Sequence, residues 1–239
     1  MLRSTQDELV QAGKLAMLGQ MAAGVTHELN QPLAAIRGFA DNARAYLERG
    51  QAEQASANLG HISDASARMG AIIGQLKGFA RRSDTVARID IAQSVRASAF
   101  LLQSEFRRCG AELELHGETD SIEVAGDTVR LEQVFINLLR NALDAVEDAA
   151  VRKVGITLDR HQGWARVRIA DSGPGIPGDV AAHLFEPFFT TKPSGKGLGL
   201  GLAISSSIVQ AMNGQLSAAN GAQGGAEFEV RLPLPDPGD

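Results

Sequence analysis

The chain has 239 residues, of which 44% are hydrophobic and 21% charged, and a formal net charge of −5. This composition fits two modest globular domains, and the absence of basic blocks argues against nucleic acid as a partner. The single cysteine, Cys109, excludes an internal disulfide and indicates a reducing, cytoplasmic compartment. No run of about 18 apolar residues is present to span a bilayer.

The N-terminal part has the apolar period of two long helices. A seam with steps of three and four residues runs from Leu18 to Tyr46, and a second runs from Ala55 to Ala80 after an interruption at Gly50. Two helices bury too little apolar surface to be stable alone. The hairpin is therefore expected to pair with a copy of itself as a dimeric four-helix bundle.

The pattern changes near residue 85, which predicts one domain at residues 1–84 and another at residues 85–239. Asp90 and Asp127 are expected N-caps of helices in the second domain. Period-two alternation predicts strands at residues 111–115, 154–158, 165–169 and 226–232. Helices covering one face of such a sheet make a two-layer α/β sandwich.

His27 is the candidate nucleophile of the helical region. It lies in GVTHELNQPL between the seam positions Val25 and Leu29, so the helix is predicted to turn it toward solvent. An unperturbed imidazole, with a pKa near ~6.5, is largely neutral at pH 7 and attacks phosphorus readily. Glu28 is a candidate base for the ring proton, and Gln31 shares the face of His27. Alone, this pattern also fits a solvated surface histidine.

A predicted helix and a predicted turn carry candidate ligands for a nucleotide. NLLRNALDA places Asn137 and Asn141 one turn apart on one helix face. Amide oxygens suit a Mg²⁺ whose charge is balanced by triphosphate. In DSGPG, Gly173 and Gly175 permit close backbone approach, and Asp171 can accept a hydrogen bond from the amino group of adenine. Taken singly, these patterns also fit surface asparagines and a common turn.

A glycine-rich segment predicts a phosphate site. Gly197, Gly199 and Gly201 in GKGLGLGLA lead into a helix expected to run to about residue 212, and the amides at a helix N-terminus favour anions. Lys192 and Lys196 add positive charge nearby. No G-K-[ST] follows four spacers after a glycine, so this is not a P-loop. The preceding LFEPFFTTKPSGK is typical of a lid over a nucleotide.

Over nearly its full length the chain resembles the sensor histidine kinases of two-component systems. THELNQPL looks like their H box, NLLRNALDA the N box, DSGPG the G1 box, LFEPFFTTK the F box and GKGLGLGLA the G2 box, in the family's order. HELNQPLAAI followed by ADNARAYL looks most like the C4-dicarboxylate sensor group. The resemblance implies an ATP-binding domain of the histidine kinase, gyrase and chaperone ATPase type.

The resemblance also implies an activity. ATP would phosphorylate His27 with Glu28 as general base, and the phosphoryl group would pass to an aspartate on the receiver domain of a response regulator. Asn141 would hold Mg²⁺ with help from Asn137, Asp171 would bind adenine, and the G2 glycines would border the phosphates. The chain would act as a homodimer. Any link to the bacterial inner membrane would run through an N-terminal sensor region outside this chain.

Two positions depart from the family's pattern. Asp144 stands where many relatives carry Lys or Arg, and Arg140, Lys192 and Lys196 are candidates for the phosphate contact that it removes. Gln31 stands where relatives carry Thr or Asn, so phosphatase activity toward the regulator is left open. The alternative function is an inactive ATP-binding switch or scaffold of the same superfamily, which would bind ATP without transferring phosphate.

Overall fold

The computed structural model describes residue 26 and residues 29–80, 87–117, 121–192, 199–222 and 224–235. The chain forms two compact units, Met1–Arg82 and Ser83–Asp239. The boundary expected between residues 84 and 85 stays a prediction, because residues 81–86 lie outside the described ranges.

The first unit is a hairpin of helix α1 (29–48) and helix α2 (Ala52–Ala80). The connection turns at Gly50, whose φ of +74° is the left-handed conformation that glycine adopts without strain. The seam predicted on α1 is confirmed where it is described: its buried or half-buried positions include Pro32, Ile36, Phe39, Ala43 and Tyr46.

The seam predicted on α2 is only partly correct. Ala55 is buried and Ile62 half-buried, as expected, but Leu59 and Ile73 are 57% and 41% exposed. Ile72 is buried instead of Ile73. A single neighbouring helix covers only a narrow stripe of α2, so the alternate apolar positions lie beside the contact and face outward.

The second unit contains a five-stranded sheet in the order β2-β4-β5-β7-β6 and a separate antiparallel pair, β1-β3. The strands are β1 (Ala87–Asp90), β2 (Glu112–Gly117), β3 (Glu123–Gly126), β4 (Lys153–His161), β5 (Trp164–Asp171), β6 (Gln215–Asn220) and β7 (Ala226–Pro233). β2 runs parallel to β4, and all other pairs are antiparallel.

The helices of this unit are α3 (Ile91–Cys109), α4 (Thr128–Val146), the single turn α5 (Gly178–Ala181) and α6 (Gly201–Ala211). Both predicted N-caps are confirmed. Asp90 Oδ1 accepts from Ala92 N at 2.9 Å, and Asp127 Oδ1 accepts from Val129 N at 3.0 Å. These carboxylates satisfy amides that a helix N-terminus leaves without partners.

The core lies between the sheet and helix α4. Alternate residues of β4 and β5 enter it, each at most 2% exposed: Val154, Ile156, Leu158, Ala165, Val167 and Ile169. From α4, Leu131 and Leu138 are fully buried. This confirms the predicted two-layer α/β sandwich and its alternation.

The opposite face of the sheet carries charged side chains. Arg166 Nε donates to Asp159 Oδ1 at 2.8 Å, and Arg168 lies 3.2 Å from Asp159 Oδ2. The hydrogen bond from Arg166 lowers the pKa of Asp159. Alternation in these strands therefore separates an apolar layer from an ion-paired one.

Three strands and one helical turn were not predicted. β1 and β3 have four residues each and β6 consists of small and polar residues, so their alternation is too short or too weak to read. Leu115, expected to alternate inward, is 44% exposed because β2 is an edge strand. Among the described residues, no helix combines the length and apolar character needed to cross a membrane.

Candidate nucleotide-binding site

One stripe of α4 organises the candidate site. Asn137, Asn141 and Ala145 follow each other at intervals of four residues, so they share one face of the helix. A different loop or helix meets the stripe at each of these three positions. These neighbours belong to the G2 box at Asn137, the F box at Asn141 and the G1 box at Ala145.

Asn137 meets the N-terminus of α6. Its Nδ2 donates to Ser205 Oγ at 3.0 Å, and Ser205 is 1% exposed. A Cβ at Gly201 would stand 2.3 Å from Asn137 Oδ1. The absence of a side chain at Gly201 lets the first residue of α6 lie this close to the amide, and Asn137 Oδ1 still has lone pairs that can accept from or bind a ligand.

Asn141 meets Lys192, the last residue of the F box. Lys192 Nζ donates to Asn141 Oδ1 at 3.3 Å and forms an ion pair with Asp144. The backbone amide of Lys192 donates to Thr190 Oγ1 at 3.1 Å, which fixes the local turn. The lysine ammonium thus lies on the oxygen that was predicted to hold a metal.

Ala145 meets the G1 loop. A Cβ at Gly173 would stand 2.7 Å from the Ala145 carbonyl oxygen, so only glycine permits this approach. Gly173 N in turn donates to Asp171 Oδ1 at 2.9 Å. The α4 stripe therefore connects the amide side chains to the carboxylate at the end of β5.

Asp171 is 7% exposed, and its carboxylate is held by backbone. Oδ1 accepts from Gly173 N at 2.9 Å and from Ala226 N at 3.2 Å. Burial raises the pKa of Asp171, while these two hydrogen bonds act in the opposite direction. No described residue donates to Oδ2, which leaves that oxygen as an acceptor for a ligand.

Two residues that were not among the predicted site residues support this carboxylate and its loop. Gly225 has φ +74°, and a Cβ there would stand 1.8 Å from the Asp171 carbonyl oxygen. Asn220 binds both backbone groups of Ile176, accepting from its N at 2.6 Å and donating to its O at 2.9 Å. The Gly224-Gly225 pair before β7 was the local sequence signal from which Gly225 could have been found. Asn220 had no such signal, because β6 lacks a readable apolar pattern.

The F box and the G2 box are joined by backbone. Phe188 N donates to Gly199 O at 2.9 Å, and a Cβ at Gly199 would stand 2.4 Å from Phe188 C. Gly175, in the G1 loop, has φ +80° and packs against Asn220, where a Cβ would stand 2.7 Å from Oδ1. Close approach to backbone therefore explains Gly199, whereas a positive φ and a neighbouring side chain explain Gly175.

Among the described residues, Arg140 is a predicted phosphate contact that is engaged elsewhere. It makes two hydrogen bonds to Glu105 of α3, at 2.8 and 3.3 Å. Its assignment to phosphate, like the other site assignments, stays a prediction. His27, Glu28, Lys196 and Gly197 lie outside the described residues, whereas Gln31 is an exposed residue of α1.

Comparison with known proteins agrees with this architecture. Residues 17–85 match the His Kinase A (phospho-acceptor) domain family. Residues 126–236 match the histidine kinase-, DNA gyrase B-, and HSP90-like ATPase family. The C4-dicarboxylate transport sensor protein DctB of Rhizobium meliloti (strain 1021) is 42% identical over 97% of this chain.

The chain belongs to the sensor histidine kinases. It is similar to the DctB proteins of Rhizobium meliloti and Pseudomonas aeruginosa, both 42% identical, and spans 37% and 38% of their lengths. The predicted resemblance to C4-dicarboxylate sensors is thereby confirmed. The crystal structure of histidine kinase ThkA in complex with response regulator protein TrrA matches with a TM-score of 0.76 and 25% identity, covering 97% of this chain and 66% of that one.

Proposed function

We propose that this histidine kinase portion binds Mg-ATP along the α4 stripe, phosphorylates His27 and passes the phosphoryl group to a response regulator. The observation that carries the proposal is the convergence of three sequence boxes on Asn137, Asn141 and Ala145. Two of these three positions are met at close range by a glycine, Gly201 at Asn137 and Gly173 at Ala145, and the third by a lysine, which surface residues without a function do not explain. The match to a phospho-acceptor family supports the choice of acceptor.

Asp171 recognises adenine in this proposal. Its Oδ1 is occupied by two backbone amides, and Oδ2 accepts from the exocyclic amino group of the base. Burial strengthens that hydrogen bond because little water competes for the oxygen. Gly173 and Gly175 let the base approach the backbone.

Asn141 is the proposed Mg²⁺ ligand, with Asn137 as a second contact. Both present neutral amide oxygens, and no cluster of three His, Cys, Asp or Glu side chains with metal-binding geometry occurs among the described residues. Such a donor set fits Mg²⁺, which prefers few protein ligands completed by phosphates and water. When bound, Mg²⁺ would neutralise charge on the triphosphate.

The phosphoryl transfer needs a nucleophile and a base. A ring nitrogen of His27 attacks the γ-phosphorus, the bond from that phosphorus to the ADP oxygen breaks, and the ring proton passes to Glu28. The protein contributes mainly positioning and charge neutralisation. In the second transfer an aspartate of the receiver domain takes the phosphoryl group from His27. Gln31 remains the candidate for positioning water in a phosphatase reaction.

A homodimer is proposed because the hairpin exposes apolar residues that no part of its own chain covers among the described residues. Leu33, Leu47 and Leu59 are 55%, 60% and 57% exposed. A second hairpin would bury them as a four-helix bundle. The family matched by residues 17–85 and the ThkA–TrrA complex support dimerisation and a receiver partner respectively.

The test is transfer of label from γ-labelled Mg-ATP to the purified chain. Wild type is expected to gain acid-labile, base-stable label, and His27→Ala is expected to gain less than about 1% of it, because a lost nucleophile removes most of a covalent mechanism. His61→Ala is the matched control, since His61 is an exposed histidine of the same hairpin.

Label that persists in His27→Ala would contradict the assigned acceptor. A wild-type chain that binds Mg-ATP but stays unlabelled would contradict the kinase and favour an ATP-binding switch.

A further inference from the structure

Lys192 and Asp144 form an ion pair at the metal end of the proposed site. Asp144 lies one turn from Arg140 and three residues from Asn141 on α4, whereas Lys192 is the last residue of the F-box segment. The Asp144 side chain is 52% exposed and the Lys192 side chain 33%. The pair therefore joins this segment to α4 through a contact that water can reach.

The same ammonium also donates to Asn141 Oδ1, at 3.3 Å. In the proposed function this oxygen binds Mg²⁺. The Lys192 ammonium and a Mg²⁺ ion bound to the same Asn141 oxygen would repel each other strongly at this range. Lys192 therefore has to leave Asn141 when Mg-ATP enters, and the triphosphate supplies the nearest new partners for a cation.

We propose that Lys192 is a movable cation and that Asp144 is the residue that positions it. Asp144 holds Lys192 on Asn141 in the nucleotide-free protein, and Lys192 transfers to the phosphate oxygens when Mg-ATP binds. This inference rests on the proposed function. It also accounts for an acidic residue at position 144, because the cation of this site comes from the end of the F box instead of from α4.

The exchange is energetically accessible because the pair is solvent-exposed. Exposed ion pairs contribute little to stability, so their rupture opposes binding only weakly. Loss of the Asp144 charge should free Lys192 for phosphate, whereas loss of Lys192 should remove the transferred cation. The effect of Asp144 on nucleotide binding must then depend on Lys192.

A double-mutant cycle tests this dependence on the full chain. Calorimetric titration with the Mg²⁺ complex of a non-hydrolysable ATP analogue is run on wild type, Asp144→Asn, Lys192→Met and the double variant. We expect Asp144→Asn to lower Kd about two- to fivefold, the range for an exposed pair, and Lys192→Met to raise Kd about tenfold. In the Lys192→Met background, Asp144→Asn is expected to change Kd by less than about 1.5-fold.

Asp144→Glu keeps the charge and is the matched control, expected to bind as wild type does. Asp144→Asn should also lower the KM for Mg-ATP in autophosphorylation, a change that a purely structural role would not produce.

Equal tightening by Asp144→Asn in both backgrounds would show direct repulsion between Asp144 and the phosphates and would overturn the inference. An unchanged Kd for Lys192→Met would overturn it as well. A wild-type chain that binds no nucleotide would instead contradict the proposed function itself.

Discussion

The two ends of the proposed nucleotide site are built differently. At the adenine end, Asp171 is 7% exposed and its contacts are backbone amides, with Gly173 and Gly225 pressed against backbone carbonyls. At the phosphate end, Asn141 contacts Lys192 through side chains, and the attached ion pair is exposed to water.

The difference assigns separate tasks to the two ends. Backbone contacts in a packed core have one arrangement, so the adenine end is preorganised before the ligand arrives. Side-chain contacts near water exchange easily, so the phosphate end can rearrange around a highly charged ligand. Substitutions at the first end should therefore affect folding and binding more than substitutions at the second.

The largest expected effect is at Gly225. In Gly225→Ala the Cβ would stand 1.8 Å from the Asp171 carbonyl oxygen, at a φ of +74°. We expect a loss of more than about 3 kcal/mol in unfolding free energy, because backbone must move. Urea unfolding measures the loss.

Gly224→Ala is the matched control for that variant. Gly224 has φ +91° but no atom within 4 Å of a built Cβ. Only the backbone strain remains, at about 1–2 kcal/mol. Similar losses for the two variants would contradict a tightly packed adenine end.

Asp171→Asn separates binding from folding at the same end. The amide Oδ1 can still accept from Gly173 and Ala226, but its NH₂ would face the adenine amino group. We expect nucleotide binding to weaken about 10- to 100-fold, the effect of losing a hydrogen bond to a charged group. Calorimetric titration with the same ATP analogue measures it.

The stability difference between Asp171→Asn and wild type should depend on pH in a defined direction, because only wild type has a titrating carboxyl at this position. The pKa of Asp171 is raised in the folded state by burial. The stability that this raised pKa contributes is present below the unfolded pKa and is lost as pH rises through the folded pKa. The Tm of Asp171→Asn relative to wild type should therefore rise from about pH 4 to about pH 7. A relative Tm that falls would contradict a buried, costly carboxylate.

The smallest of these effects is expected at the phosphate end, in Gly201→Ala. Its Cβ would meet the Asn137 side chain at 2.3 Å, and a side chain can turn away where backbone cannot. We expect a loss of about 1 kcal/mol, the value of the Asn137 to Ser205 hydrogen bond. Autophosphorylation should fall about tenfold as Asn137 is displaced.

Gly178→Ala is its control, because Gly178 is the first residue of α5 and has open space around a built Cβ. If Gly201→Ala lost as much unfolding free energy as Gly225→Ala is expected to lose, the two ends would be equally rigid and the comparison would fail.

Most elements of the second unit could be predicted because their signals are local. Asp90 and Asp127 precede apolar periods, and the alternation of β4, β5 and β7 spans eight or nine residues each. The short strands β1 and β3 had no such signal, since four residues hold too few periods to count. On α2, period alone did not distinguish Ile72 from Ile73, because which face is buried depends on where α1 lies.

The sequence by itself determined the family, the order of the boxes and the residue types of the proposed site. Glycines, amides and a carboxylate are chemical requirements, and they can be read without coordinates. Only the tertiary structure decided which groups meet: Lys192 with Asn141 and Asp144, Arg140 with Glu105, and Gly225 with Asp171. These contacts join residues separated by 35 to 54 positions, and no local pattern in the chain encodes such a pairing.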